Sequence, residues 1–66
     1  MKIIVNDQTH EVADDLTVQD LLSEHGLSQQ PCAVEVNQQV VRKAEHDTHR
    51  LSDGDRVEIV TLVGGG

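Results

Sequence analysis

The sequence predicts an α+β domain in which one helix packs on one face of a mixed sheet of about five strands. Three observations lead there. Apolar residues alternate with period two near both ends of the chain, at Met1, Ile3 and Val5 and again at Val57 and Ile59. One segment, residues 17–26, carries helical periodicity with a start signal and a stop signal in the right places. Valine (10 residues) outnumbers leucine (6), which favours strands.

The first strand is expected over Met1–Asn6, and Asn6-Asp7-Gln8 reads as a turn, because Asn and Asp tolerate the left-handed region. Thr9–Ala13 resumes as the second strand of a hairpin, with Val12 as its main apolar contact. After Asp14-Asp15, Thr17 is a good helix N-cap, with Asp20 three residues on as a variant of the capping box. Leu16 and Leu21 are spaced for a hydrophobic staple, and Val18, Leu21, Leu22 and His25 fall on one helical face. Asp14, Asp15 and Asp20 suit the positive end of that helix, and Gly26 suits its left-handed stop, with Leu27 folding back onto the last turn. Ser28–Pro31 is a loop and Cys32–Val36 a third strand. Asn37-Gln38-Gln39 turns the chain without the glycine that best fits such a turn, and Val40-Val41 is a short fourth strand. Residues 42–50 show no period and read as irregular. Asp53-Gly54-Asp55 is a turn, and Arg56–Val63 is the last strand. A crossover through the helix would bring that last strand beside the first, in the sheet centre. In 66 residues this order is the β-grasp, or ubiquitin-like, arrangement.

Composition narrows the function classes. A chain of 66 residues is one domain at most, and buries only about 60% of the surface that its unfolded form exposes. A single cysteine makes no internal disulfide, and no Cys/His cluster offers a zinc site. Phe, Tyr and Trp are absent, so the core is aliphatic. Leu, Ile and Val supply 19 of the 66 residues, well above the roughly 20% below which chains tend to stay disordered. The net charge of −7 argues against nucleic acid and against an anionic membrane surface, and the lack of aromatics excludes base stacking. No apolar run is long enough to span a bilayer, no export signal is evident, and a lone cysteine fits the reducing cytoplasm. No nucleophile–base pair can be named, so an enzyme is not expected.

The last strand runs directly into Gly64-Gly65-Gly66. Residues 1–63 are expected to form the domain and 64–66 a mobile glycine tail, since three glycines have nothing to pack. Alternation along the strand sends Glu58, Val60 and Leu62 outward if Val57, Ile59 and Thr61 point inward. Exposed Val60 and Leu62 beside such a tail read as a docking patch; the competing reading is that a second layer covers that face.

The sequence resembles the ThiS family of sulfur carriers and, more distantly, the small subunit of molybdopterin synthase. The resemblance rests on Met1-Lys2-Ile3-Ile4-Val5-Asn6, on Leu16 to Leu22, on Ala33-Val34-Glu35-Val36-Asn37, on Leu51 to Val60 and on the Gly65-Gly66 end. One departure is Asn37-Gln38, where many relatives carry Asn-Gly. The resemblance implies that the Gly66 carboxylate is activated with MgATP by an adenylating, ubiquitin-activating-like enzyme. A sulfur donor such as a cysteine desulfurase then displaces AMP, and the terminal thiocarboxylate passes its sulfur to a thiazole synthase of thiamine biosynthesis. Gly64, Gly65, Val60, Leu62 and Val63 would meet the partners, Gly66 would carry the sulfur, and the carrier, a monomer on its own, would bind no cofactor or metal. The same tail would serve a molybdopterin-type carrier, and the fold alone would serve a β-grasp binding module without covalent chemistry.

Cys32 reads as a small buried hydrophobe. His46 and His49 make an incomplete zinc site on their own and read as exposed polar residues, and His10 and His25 have no partner that the sequence identifies. Asp14, Asp15 and Asp20 read as helix-end charges, not as an acid/base pair.

Overall fold

A computed structural model describes residues 1–62. The expectations for Val63 and for the glycine tail 64–66 lie outside the described residues.

The order is β1 (Lys2–Val5), β2 (Gln8–Glu11), α1 (Val18–Glu24), β3 (Cys32–Val36), β4 (Gln39–Val41), a 3₁₀ turn (Lys43–Glu45) and β5 (Arg56–Thr61). The strands form one sheet in the order β2-β1-β5-β3-β4. β5 lies in the centre, parallel to β1 (Val5 opposite Val57) and antiparallel to β3 (Val34 opposite Ile59). This is the expected β-grasp arrangement. Ile3 and Val5 of β1, Val57 and Ile59 of β5, and Val34 and Val36 of β3 meet Val18, Leu21 and Leu22 of α1 in one aliphatic core, completed by Leu16, Val41 and Leu51. Each such side chain contributes about 1.5–3 kcal/mol on burial, which is how so small a chain folds without aromatics.

Both ends of α1 follow the sequence signals. The Asp20 N–H donates to Thr17 Oγ1 at 3.1 Å, and the Thr17 N–H donates to Asp20 Oδ2 at 3.1 Å, which closes the capping box. At the other end the Leu27 N–H reaches Leu22 O (2.8 Å) and the Gly26 N–H reaches Ser23 O (3.0 Å), with Gly26 at φ 71. That is a Schellman motif, and half-buried Leu27 packs on the core beside it. His25 departs from the expected buried face. It is the C-cap residue, where the chain has left helical geometry, and it is exposed.

The two hairpin turns are tighter than the sequence suggests. Asn6-Asp7 (φ 47 and 68) and Asn37-Gln38 (φ 51 and 68) each take two consecutive left-handed residues between directly paired positions. This is the primed two-residue turn that matches strand twist, so Gln8 and Gln39 belong to strands. β2 ends at Glu11, and Val12 follows it, half-buried against the core.

Residues 42–50 are more ordered than their sequence suggests. The Val18 N–H donates to His49 O (3.0 Å), the Gln19 N–H to His46 O (2.8 Å) and the Leu51 N–H to Leu16 O (2.8 Å). The segment therefore caps the N-terminus of α1 with its own carbonyls. His46 is the pin. It is 5% exposed, against the expectation of an exposed residue, and its Nε2 lies 3.0 Å from Val41 O. A carbonyl only accepts, so Nε2 carries the proton.

Candidate functional site

The site is built around the last central strand. Val57 and Ile59 face α1, and Glu58 and Val60 face away from it and are exposed. The strand is held at both ends by asparagine side chains. Asn37 Oδ1 accepts from the Arg56 N–H (3.0 Å), and the Asn37 N–H donates to Arg56 O (2.8 Å). Asn6 Nδ2 donates to Ile59 O (3.2 Å), and Asn6 Oδ1 accepts from the Ile59 N–H (2.9 Å). The Asn6 amide thus imitates one more rung of the β1–β5 ladder after β1 has turned away. Sequence reasoning read Asn6 and Asn37 only as turn formers; their second role depends on where β5 docks. Beyond the strand, the Leu62 N–H donates to Pro31 O (2.9 Å), which fixes the exit of the chain.

The large apolar side chains exposed among the described residues are Val40 (69%), Val60 (55%) and Leu62 (51%). Val60 pairs with Ala33, and Val40 pairs with Glu35, which itself pairs with Glu58. Val60 and Val40 therefore share the outer sheet face, opposite the helix, and that face is open. Of the two residues named from the sequence, Val60 lies on that face and Leu62 is exposed just past the Thr61 end of β5; Val40 was missed, although its alternation with buried Val41 carries the signal. Thr61 has the inward parity expected of it but is exposed, bordering a cavity with Val5, Ile59 and Leu27 at the rim of the sheet. Val63, Gly64, Gly65 and Gly66 lie outside the described residues.

The acidic turn residues are anchors as well as surface charge. The Asp53 carboxylate accepts from the Lys2 N–H (2.8 Å), and that of Asp55 from the Ser52 N–H (2.8 Å) and from Asn37 Nδ2 (3.0 Å). Cys32 is half-buried, with its thiol 3.4 Å from Gln30 O. It borders a cavity of about 200 Å³ together with His46, but thiol and imidazole each hold a backbone carbonyl. Among the described residues no group of three or more His, Cys, Asp or Glu is placed to hold a metal ion, and no helix is long and apolar enough to cross a membrane.

A small β-grasp domain, with an open apolar patch where its central strand leaves the sheet, is the class these features define. Residues 2–66 match the ThiS family. The chain is 33% identical to the sulfur carrier protein ThiS of Escherichia coli K12 over the whole of both chains. It is 36% identical to a thiazole synthase of Paramagnetospirillum magneticum, of which it spans 20%. Its structure superposes on the crystal structure of the thiamine biosynthesis protein ThiS from Geobacter metallireducens with a TM-score of 0.84, at 35% identity and over the whole of both chains. The chain belongs to the ThiS family.

Proposed function

We propose that this protein is a sulfur carrier of thiamine biosynthesis, a co-substrate and not itself a catalyst. The Gly66 carboxylate is a poor electrophile. An adenylating partner activates it with MgATP, releasing pyrophosphate and leaving an acyl-adenylate. The terminal sulfur of a donor attacks the carbonyl and expels AMP; where the donor is a persulfide, a thiol reductant then cleaves the S–S bond, and the resulting thiocarboxylate gives its sulfur to a thiazole synthase. The observation that carries this reading is the full-length match to a sulfur carrier of the same size, which extends through Gly66. The match to a fifth of a thiazole synthase supports that enzyme as the partner, since a carrier and its acceptor gain from being held together. Val60 and Leu62, with Val63, Gly64 and Gly65, form the surface offered to the partners.

Intact-mass spectrometry tests the carrier chemistry. Incubation with a ThiS-activating enzyme, ATP and a sulfur donor is expected to add about 16 Da, the difference between oxygen and sulfur. An unchanged mass with an enzyme that loads another ThiS protein would instead favour a binding module. Gly66→Ala is expected to abolish most loading and leave the unfolding midpoint unchanged, because a Cβ crowds attack on the terminal carbonyl. Loading of that variant at the parent rate would sink the role assigned to Gly66.

A further inference from the structure

His10 on β2 and His25 at the end of α1 belong to consecutive elements and meet beside a cavity at the rim of the sheet. Their ring centroids are 5.4 Å apart with the ring planes at 66°. His10 stands on edge strand β2 opposite fully buried Ile3, and so on the helix side of the sheet. His25 is the C-cap of α1. Both border a cavity of about 450 Å³ with Gln8 and Thr61, and no hydrogen bond engages either ring among the described residues.

We propose that His10 and His25 form a two-ligand site for a borderline divalent transition ion such as Zn²⁺ or Cu²⁺. Imidazole is the ligand class such ions prefer. The spacing fits. With a metal–nitrogen bond of about 2.0–2.1 Å and a tetrahedral angle, two coordinated imidazoles have their centroids about 5 Å apart. The χ2 torsion of histidine is broad, so the rings can turn from their edge-on contact to present nitrogens to a shared ion. The surroundings favour a cation. The last turn of α1 carries no basic residue to offset its negative end, and the chain as a whole carries −7. The cavity leaves room for water in the remaining positions, with the Gln8 amide and the Thr61 hydroxyl on its wall. Asn6 borders it too, but its amide is spent on Ile59. Metal here would tie the sheet edge to the helix end.

The test is a ZnCl₂ titration of the full chain in a non-chelating buffer, read by calorimetry and by histidine NMR resonances. One saturable site is expected, with shifts confined to His10 and His25 and with affinity falling on acidification as protons compete for the imidazoles. His25→Gln, at an exposed position, is expected to keep the fold and to weaken Zn²⁺ about tenfold to a hundredfold, since chelation is lost. His10→Gln is expected to match it, and Cys32→Ser to bind like the parent. Affinity unchanged in His25→Gln, shifts centred on Cys32 or on His49, or no saturable binding would each overturn the proposal and leave the pair as packed rings.

Discussion

Gln38 holds a left-handed backbone at φ 68 that glycine would adopt without cost. Its neighbour Asn37 tolerates the same region and is also committed to Arg56 and Asp55 through its side chain, so strain that can be relieved without losing a contact lies at Gln38. Gln38→Gly is expected to stabilise the domain by about 0.5–1 kcal/mol, partly offset by the freer unfolded chain. A raised urea midpoint at constant m-value checks this. His46 presents the opposite case. Its ring is buried and satisfies Val41 O, so His46→Ala opens a cavity and orphans a carbonyl at once. The expected loss is about 2–3 kcal/mol in urea unfolding, a large fraction of what a domain of this size possesses. Nothing around His46 in the sequence announced its burial, because its partners are Val41 and Gln19 and its segment has no hydrophobic period. The outward position of Val60 was legible because it follows from strand parity alone, whereas Leu62, expected within the strand, lies past its Thr61 end.

At the scale of elements, signals carried by adjacent residues were readable and those carried by docking were not. The capping box, the Gly26 stop and the β-branched strands are written within a few residues of where they act. The 42–50 segment owes its order to bonds with the start of α1, across some thirty residues of sequence. That division sets the expectation for the helix. Thr17→Ala removes the side-chain acceptor of the Asp20 N–H and is expected to cost about 1 kcal/mol. The loss should not grow into unfolding of α1, because Val18 and Gln19 keep their bonds to His49 and His46. Amide hydrogen exchange would show this as faster exchange at Asp20 with protection retained at Val18 and Gln19. Collapse of protection at all three would mean that the cap, and not the 42–50 clasp, holds the helix start.

For the molecule as a partner in a complex, the outer face and the net charge make separable contributions. The open patch around Val60 and Leu62 offers short-range apolar burial, which governs how long a complex lasts. The charge of −7 acts at longer range and governs how fast a basic partner surface is found. Part of that charge is not free to rearrange, since Asp53 and Asp55 are held in the turn before β5. Leu62→Asp tests the division. It adds one negative charge to a surface already strongly acidic, so it should leave the association rate with the proposed adenylating partner, or raise it slightly. It places a carboxylate where an apolar contact is proposed, so dissociation should speed by about tenfold or more, in line with the roughly 1.5 kcal/mol or more that a buried leucine supplies. Because Leu62 is half exposed and lies beyond the end of β5, the unfolding midpoint should barely move. Raising salt should slow association of parent and variant alike and leave their dissociation rates apart. Stopped-flow association with surface-plasmon dissociation at two salt concentrations separates the terms. An unchanged dissociation rate for Leu62→Asp would remove the patch from the interface and leave electrostatics and the C-terminal residues to account for recognition.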